Sequence, residues 1–511
     1  MLIDTRELDP SEPVRGDLCI VGAGAAGITI ATELIGADTE VILLESGDSE
    51  VLDPETQDLG AGANVGRTLT FLGSELSLAS THLRILGGTT MHWNGVCRPL
   101  DVEDFEQRRW IPDSGWPIER ADLDPYYPGA QELLALGPFE YDWQYWTENY
   151  DIGQPLIHDD AVATVMYQLS PPARFGTLYR EDLVNAANVR LLIWANATNL
   201  NIEPESDRLA SVTVATLEGD EVTVEAKVFV LAAGGIEVPR LLLASNDVRR
   251  AGLGNQHDLV GRYFMEHPHV PIGLASLGRS WRELSLYSPL RYLEIDDPAQ
   301  PQVPGRAYGG FAATAAERAS RELLGAAVTL PENPVHPPAW TGGLDQTSVG
   351  ELYEAETGRR PQVDAQLMVR AEQAPNPESR VTLSEERDAL GLPRAQLDWR
   401  LSDQDIESVQ RTLVVLAERF GVHQVGRVQV EQNALPPADW PIEVGNHHMG
   451  TTRMAADPRR GVVDANCRVH DVANLYVASS SVFTTSGYAN PTLTIVALAL
   501  RLAEHLRTQI L

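Results

Sequence analysis

A chain of 511 residues with 43% hydrophobic and 22% charged residues has the composition of a globular protein, and its length favours two domains over one. Its 72 acidic and 39 basic residues give a net charge of −33, which would repel nucleic acid and anionic membrane surfaces. No nucleic-acid partner is therefore expected, and no membrane span either, because no apolar stretch reaches the length that a bilayer requires.

The cysteines and the N-terminal segment narrow the class of protein further. Cys19, Cys97 and Cys467 lie far apart, so their spacing predicts neither a metal site nor a disulfide framework. The N-terminal residues are acidic and polar, whereas a secretory signal would be basic and then apolar. The sequence therefore predicts a cytoplasmic protein without a metal centre, and it makes no prediction about the oligomeric state.

The chain opens with the pattern of a strand, a glycine-rich turn, a helix and a second strand. An apolar run precedes Gly22, Gly24 and Gly27, and the helical stretch 28–36 and the apolar run 40–46 follow them. Gly22 permits a tight turn, Gly24 lets backbone approach a pyrophosphate, and Gly27 lets the helix lie close to the strand. The N-terminus of that helix would face the phosphates of a dinucleotide.

Glu45 lies at the end of the second strand, 18 residues after Gly27. Its carboxylate can accept hydrogen bonds from a ribose diol, which a phosphorylated ribose would not allow. The motif therefore favours FAD or NAD over NADP.

A second motif, RILGGTTMHWNGVCRP, occupies residues 84–99. Gly87 and Gly88 would let backbone pass close to a flat ligand, although a Gly-Gly pair alone is more often only a turn. Polar and aromatic residues follow that could line the edge of a flavin, namely Thr90, His92, Trp93 and Asn94.

The residues suited to redox chemistry lie near the C-terminus. Oxidation of an alcohol needs a base that takes the hydroxyl proton while a hydride leaves carbon, and an imidazole suits this role at neutral pH. The stretch NHHMGTTRM offers His447 and His448. Farther on, Asn490 precedes Pro491, which suits the first turn of a helix, and the free amide of Thr492 could face an electron-rich ligand edge.

Together these three segments resemble the glucose-methanol-choline oxidoreductase family, in its bacterial branch near the pyranose and glycoside 3-oxidases. The runs 228–245 and 258–269, and the stretch that begins at Asn376, resemble further segments of the family. The resemblance implies FAD as the cofactor. It implies an α/β fold, with a Rossmann-like FAD-binding domain and an interleaved α+β substrate domain built on an antiparallel sheet.

The expected domain boundaries follow from the same resemblance. Residues 1–160 form the first part of the FAD-binding domain, and 161–270 form mostly its second part, with the crossover to the substrate domain. Residues 271–440 form the substrate domain, and 441–511 return to the FAD-binding domain with the catalytic pair. The segment from about Val270 to Val363 matches the family least well and reads as loops, in which substrate choice is expected.

The resemblance also assigns roles to single residues. The catalytic histidine of the family stands three residues before the glycine of a Gly-Thr pair, as His447 does before Gly450, whereas His448 is one residue too late. Asn490 has the position that is histidine or asparagine in relatives, and it would orient the substrate hydroxyl while His447 transfers the proton. The cofactor contacts expected in addition to the glycines, Glu45 and His92 are Asn94, Gly95, Ala197, Ala233, Gly234, Ser479, Pro491 and Thr492.

His92 leaves two alternatives open. It stands where fungal pyranose oxidases carry the histidine that is covalently joined to the flavin, but Met91 replaces the threonine of those relatives. A covalent link through His92 and a non-covalent contact are both compatible with the sequence. Core or structural roles are expected for His257, His267 and His269, which lie in the segment that enters the substrate domain.

The reaction expected is the oxidation of a secondary ring hydroxyl of a sugar or glycoside, at C2 or C3, to a ketone. The reduced flavin would then pass its electrons to oxygen or to a quinone-type acceptor. Two alternatives remain, the oxidation of a non-sugar alcohol (aliphatic, aryl or sterol-like) and a non-redox lyase reaction on the same scaffold.

Overall fold

The computed structural model describes residues 1–150, 152–278, 281–287, 306–330, 363–430 and 440–510. The strands in these ranges are β1 (Leu2–Asp4), β2 (Val14–Val21), β3 (Val41–Leu44), β4 (Gly62–Asn64), β5 (Thr70–Phe71), β6 (Ser74–Glu75), β7 (Val96–Cys97), β8 (Val162–Leu169), β9 (Val189–Ile193), β10 (Asn196–Ile202), β11 (Leu209–Ala215), β12 (Glu221–Leu231), β13 (Pro268–Leu277), β14 (Ala307–Ala313), β15 (Ala326–Thr329), β16 (Val363–Ala371), β17 (Arg380–Arg387), β18 (Pro393–Asp398), β19 (Gly426–Gln429), β20 (Glu443–Val444) and β21 (Leu475–Val477). The α-helices are α1 (Ala25–Glu33), α2 (Pro54–Asp58), α3 (Val102–Phe105), α4 (Tyr127–Leu133), α5 (Trp143–Asn149), α6 (Phe175–Leu178), α7 (Arg180–Asn185), α8 (Gly234–Ala244), α9 (Trp281–Leu284), α10 (Ala315–Arg321), α11 (Asp403–Val422) and α12 (Thr492–Gln509).

A largely parallel sheet carries the first nucleotide-binding unit. Its strand order is β1-β9-β3-β2-β12-β11-β10, and β21 also pairs with β12. The pairs from β1 to β12 and the pair β12–β21 are parallel, whereas β10, β11 and β12 form an antiparallel meander. Residues Leu18 to Val21 are buried in succession, which is the pattern of a parallel strand covered on both faces.

The opening unit forms close to the positions that the sequence predicts. β2 ends at Val21 and β3 covers Val41–Leu44, inside the apolar run 40–46. The helix begins at Ala25, three residues before the predicted start, because Gly24 already lies in an extended conformation at its N-cap. The boundary shift does not change the topology of the unit.

A second, antiparallel sheet forms the other layer. Its strand order is β19-β13-β16-β15-β14-β8-β7, and β20 also pairs with β13. One face packs on α11, where the rings of Phe311 and Phe420 lie 5.2 Å apart. On the other face Tyr167 and Tyr308 stack with ring centroids 5.3 Å apart. Ser402 caps α11 by accepting a hydrogen bond from the backbone N–H of Asp405.

The predicted fold class is confirmed: an α/β layer and an antiparallel layer are built from alternating pieces of the chain. The predicted domain boundaries stay predictions, and β8 joins the antiparallel sheet although residues 161–270 were assigned mostly to the FAD-binding domain. No helix in the described ranges is both long and apolar enough to cross a bilayer.

The expectation of loops between Val270 and Val363 is wrong for most of the described part of that segment. β13, β14, α10 and β15 lie there, while residues 279–280, 288–305 and 331–362 lie outside the described ranges. The strand β14 has the sequence AYGGFAA and is buried at every position, so it shows no alternation of polar and apolar residues.

Candidate active site

One cleft is bordered by the β2–α1 turn, by the end of β3 and by the N-terminus of α12. Its lining includes most of the residues expected from the sequence to contact the cofactor: Gly22, Gly24, Glu45, Gly88, Ala197, Ala233, Gly234, Ser479, Pro491 and Thr492. His447 and His448 line the same cleft. Six predicted site residues lie outside its lining, namely Gly27, Gly87, His92, Asn94, Gly95 and Asn490.

The glycine turn leaves room for a ligand at one position and for backbone packing at the others. Gly22 has a φ of +104°, and a Cβ there would lie 2.8 Å from the carbonyl oxygen of Ala232. A Cβ at Gly27 would lie 1.9 Å from the carbonyl oxygen of Gly22, so only glycine lets α1 pack on the turn. A Cβ at Gly24 would meet no atom within 4 Å. The open space lies at the start of α1, whose N-cap makes no side-chain hydrogen bond.

Glu45 holds this turn from the end of β3. Its Oε2 accepts the backbone N–H of Ala23 at 3.1 Å, and its Oε1 accepts that of Gly47 at 3.0 Å. The side chain is 5% exposed, and burial raises the pKa of its carboxyl group. Glu45 therefore fixes the backbone that surrounds the nucleotide while its carboxylate still borders the cleft.

The Gly-Gly loop divides into a part that borders the cleft and a part that supports it. Gly87 and Gly88 both have positive φ, and a Cβ at Gly88 would lie 3.1 Å from the Cα of Gly24. Gly95, with a φ of +76°, packs on Ser170 instead. His92 and Asn94 are exposed. The loop thus closes over the glycine turn, with Thr90 and Trp93 lining the cleft beside it.

At the far end of the cleft, the predicted catalytic pair comes together across 43 residues of sequence. The Nε2 atom of His447 lies 3.4 Å from the side-chain nitrogen of Asn490. Pro491 is the N-cap of α12, and no side chain caps this helix. The first amides of α12 and the imidazole of His447 therefore border the same end of the cleft.

The backbone before His447 is shaped to hold the ring in place. Asn446 has a φ of +56°, in the left-handed region that asparagine tolerates better than most residues. A Cβ at Gly445 would lie 2.5 Å from the Nδ1 atom of His447. Any side chain at Gly445 would therefore push the imidazole away from its present position.

The structure adds His267 and Glu266 to the site. A core or structural role was expected for His267 from the sequence, and no role was predicted for Glu266. The Nδ1 atoms of His267 and His447 lie 2.9 Å apart. Glu266 accepts the backbone N–H of His447 at 2.8 Å and that of His267 at 2.8 Å. The expectation of a merely structural His267 misses this contact, because residues 180 positions apart in sequence meet only in the folded protein.

A local signal for this contact is present in the stretch MEHPH. His267 directly precedes β13 and His269 is its second residue, and the ring centroids of His267 and His447 lie 4.9 Å apart. The rings of His269 and His447 have centroids 6.2 Å apart. Two histidines separated by one residue at the start of a strand indicate that this end of the strand borders a polar site.

Burial controls the ionisation of this cluster. Desolvation, followed by the charges of neighbouring histidines, lowers the pKa of His447 well below its ordinary value. Burial also lowers the pKa of His267 to about 4 and that of His448 to about 3. The imidazoles are therefore neutral at pH 7, and each has one unprotonated ring nitrogen. Burial raises the pKa of Glu266 to about 8.

The environment of His448 differs from that of His447. Its ring packs on Phe264 with centroids 5.7 Å apart, and its Nε2 atom lies 4.0 Å from a carboxyl oxygen of Glu266. The ring is 8% exposed. Among the described residues, Asn490 forms its hydrogen bond with His447 and not with His448.

Comparison with known families decides the class of protein. Two models described as GMC oxidoreductase match residues 161–269 and 375–499. The chain belongs to the GMC oxidoreductase family. It is an FAD-dependent oxidoreductase that acts on CH–OH donors, as the family assignment implies.

Relatives of this GMC oxidoreductase align over most of its length. The fructose dehydrogenase large subunit of Gluconobacter japonicus is 24% identical, over 97% of this chain and 98% of its own. The 2-methyl-1,2-propanediol dehydrogenase of Mycolicibacterium austroafricanum is 24% identical, over 96% and 95%. The C-glycoside 3-oxidase of Microbacterium trichothecenolyticum is 24% identical, over 83% and 75%.

Solved structures show the same fold. A formate oxidase of Aspergillus oryzae RIB40 superposes with a TM-score of 0.57 at 18% identity, covering 97% of this chain and 99% of the other. At this identity the likeness describes the architecture alone.

The cleft fits the FAD that the family implies. The uncapped N-terminus of α1 and the open space at Gly24 suit a pyrophosphate, since free backbone amides bind anions. Ala197, Ala233 and Gly234 border the cleft with little side-chain bulk. FAD held in this cleft would supply an acceptor for a hydride.

Proposed function

We propose that this GMC oxidoreductase oxidises a secondary ring hydroxyl of a sugar or glycoside, at C2 or C3, to a ketone. The observation that carries the chemistry is the pairing of His447 with Asn490 at the end of the cofactor cleft, 3.4 Å apart. The imidazole of His447 can take a proton, whereas the amide of Asn490 can only orient the substrate. The pair therefore suits a reaction in which a single hydroxyl proton is transferred.

In the proposed reaction His447 is the base. Its Nε2 atom takes the proton of the substrate hydroxyl as the C–O bond becomes a carbonyl. FAD held at the glycine turn and the N-terminus of α12 would supply the acceptor for the hydride that leaves the same carbon. The side-chain amide of Asn490 donates a hydrogen bond to the reacting oxygen and holds it beside His447. The uncapped amides of α12 favour negative charge that develops on the reduced cofactor.

The names of relatives support a sugar or glycoside as substrate. Fructose dehydrogenase and C-glycoside 3-oxidase are named for such substrates. Oxygen or a quinone-type carrier is proposed as the electron acceptor. The placement near the pyranose and glycoside 3-oxidases and the cytoplasmic location both stay predictions from the sequence.

A second candidate substrate class is a non-sugar alcohol. The specific observation in its favour is the 2-methyl-1,2-propanediol dehydrogenase, which aligns over nearly the whole chain. The pair His447 and Asn490 would act on such an alcohol in the same way, because both residues address only the reacting C–O group.

Anaerobic mixing with a panel of substrates tests the proposal. The holoenzyme is mixed with free sugars, C- and O-glycosides, and small aliphatic and aryl alcohols, and the flavin absorbance is followed. Bleaching by sugars or glycosides, with a keto sugar as product, is the expected result. Bleaching by the non-sugar alcohols alone selects the second candidate. Substrate turnover without bleaching would instead show the non-redox lyase reaction.

The link through His92 needs a separate measurement. Acid precipitation of the holoenzyme leaves yellow colour in the pellet if the flavin is covalently bound. His92→Ala should then release the colour into the supernatant. Colour that stays in the pellet of His92→Ala would assign the link to another residue, and a colourless wild-type pellet means non-covalent FAD.

A further inference from the structure

His267 is buried directly behind the proposed base. The side chain is 2% exposed, and its two ring nitrogens contact two different partners. Nδ1 lies 2.9 Å from the Nδ1 of His447, and Nε2 lies 3.2 Å from the backbone carbonyl oxygen of Ser486. The planes of the two imidazoles are 80° apart. His267 therefore links the base to the loop that precedes Asn490.

The partner at Ser486 decides which nitrogen of His267 carries the hydrogen. A carbonyl oxygen only accepts, so the Nε2 of His267 donates to it. Burial lowers the pKa of His267 to about 4, so the ring is neutral at pH 7 and has a single N–H. Its Nδ1 atom is consequently an acceptor.

The same reasoning then fixes the neighbouring ring. Since the Nδ1 of His267 accepts, the Nδ1 of His447 must donate in the 2.9 Å contact. A neutral His447 with its hydrogen on Nδ1 has a lone pair on Nε2, the atom that faces Asn490. The opposite tautomer would place hydrogen on Nε2 and leave no lone pair for the substrate proton.

We propose that His267 is a positioning residue that holds His447 in the tautomer with hydrogen on Nδ1, through the chain Ser486 carbonyl, His267 and His447. The inference rests on the proposed function of His447 as the base. It assigns to His267 the part that a carboxylate takes in triads of hydrolases, where the partner of the second imidazole nitrogen sets the tautomer. Here a neutral imidazole, itself oriented by a backbone carbonyl, takes that part.

The charged and titratable groups around the two rings leave this chain of donors intact. Glu266 accepts backbone N–H groups of both histidines and does not bond to either ring nitrogen of this pair. Glu372 lies near His267 but forms an ion pair with Arg108. The remaining groups that act on His447 are His269, His448 and Arg370, and each of them lowers its pKa.

Histidine ¹⁵N NMR of the holoenzyme tests the tautomer directly. Protein labelled with ¹⁵N-histidine is compared with His447→Gln to assign the signals of His447. We expect the Nδ1 of His447 to show the shift of a protonated nitrogen and its Nε2 the shift of an unprotonated one. The reverse pattern in the wild type would overturn the proposal, whatever the activity of the variants.

Two variants of His267 separate the loss of its hydrogen-bond acceptor from the loss of its side-chain volume. His267→Leu removes the acceptor and should slow flavin reduction at saturating substrate by roughly 10- to 100-fold, less than the roughly 10⁴-fold loss that follows a fully wrong tautomer. The KM should change little, and the NMR pattern of His447 should become mixed. His267→Asn can present an amide oxygen near the position of Nδ1 and should recover much of the rate. Equal losses in both variants with the tautomer of His447 unchanged would refute the proposal.

His269→Gln is the matched control, because His269 lies beside His447 without a hydrogen bond to it in the described residues. Its effect on the NMR pattern of His447 should be absent. The two proposals fail differently. If no alcohol bleaches the flavin, the proposed function fails while the NMR result stands, and if the tautomer is reversed in an enzyme that alcohols do bleach, only the role of His267 fails.

Discussion

The two ends of the cleft recognise their ligands by different means. At the nucleotide end, Gly22, Gly24 and the N-terminus of α1 offer backbone and empty space, and the carboxyl group of Glu45 is engaged with backbone N–H groups. At the chemical end, buried imidazoles are joined to one another and to an amide. The first end therefore depends on the absence of side chains, whereas the second depends on the hydrogen-bonding state of each side chain.

The difference also separates binding from chemistry. Substitutions at the nucleotide end should change how much FAD the protein holds, with rates per bound flavin nearly unchanged. Substitutions at the chemical end should change the rate of flavin reduction while FAD content stays constant. Each prediction below tests one side of this separation.

The largest effect is expected at His447. His447→Ala removes the proposed base and should slow flavin reduction by roughly two to four orders of magnitude, the usual contribution of a general base. FAD content should equal that of the wild type. Stopped-flow absorbance under anaerobic conditions measures both. A rate near that of the wild type would remove His447 from the proposed mechanism.

At the opposite end, Gly24→Val should reduce FAD occupancy at least roughly 10-fold, because its side chain would fill the space at the start of α1 where backbone must approach the phosphates. Gly24 has ordinary extended dihedral angles and a Cβ there meets no atom within 4 Å, so the apoprotein should fold normally. The flavin-to-protein absorbance ratio and the far-UV circular dichroism report the two quantities.

Gly421→Ala is the control for Gly24→Val, because its Cβ would also meet no atom within 4 Å but it lies in α11, away from the cleft. It should leave FAD content unchanged, since glycine to alanine within a helix only favours the helical state. Full occupancy in Gly24→Val would mean that the phosphates do not approach this position.

The nucleotide end was predictable because its signal is local. Gly22, Gly27 and Glu45 lie within one strand–helix–strand unit, where spacing and residue type fix the geometry. The topology of the two layers followed from a resemblance rather than from periodicity. Strands such as β14, with its AYGGFAA sequence buried at every position, show no alternation that could reveal them.

The chemical end was predictable only in part. The family motif supplied His447 and Asn490, and the structure brings these two side chains together. It could not supply His267, because the contact joins two segments that are 180 residues apart and depends on the register of β13 in its sheet. The hydrogen bond from the backbone N–H of His447 to Glu266 joins residues 181 positions apart, so it could not be predicted for the same reason.

Asn490 should show a smaller effect than His447. Asn490→Ala removes a group that orients the substrate oxygen but transfers no proton, so flavin reduction should slow by roughly 100-fold, the lower end of the loss that follows removal of one hydrogen-bond donor to a reacting oxygen. Asn490→His should keep part of the activity, because an imidazole also donates a hydrogen bond. The same anaerobic stopped-flow assay ranks the variants, and a greater loss in Asn490→Ala than in His447→Ala would reverse the proposed roles.

The pH dependence of flavin reduction should also reflect the buried imidazoles. A base acts when it is deprotonated, and the pKa of His447 lies well below its ordinary value of 6.5, so the rate should stay nearly constant as pH falls from 7.5 to 6.5. The rate should decline only at lower pH, as His447 becomes protonated. Stopped-flow measurements across this range, with FAD content followed in parallel, would contradict this if the rate fell with an apparent pKa near 7.

The smallest effect on flavin reduction is expected at His448. A variant at this position tests whether the two neighbouring imidazoles in the cleft have different roles. His448 packs on Phe264, and Asn490 bonds to His447 instead, so His448→Ala removes packing and no step of proton transfer. The cavity should lower the melting temperature, while flavin reduction per bound FAD should stay within a few-fold of the wild type. Calorimetry and stopped-flow absorbance give the two values. If His448→Ala abolished flavin reduction while His447→Ala left it intact, the base would be His448. The hydrogen bond from His447 to His267 would then not position the base.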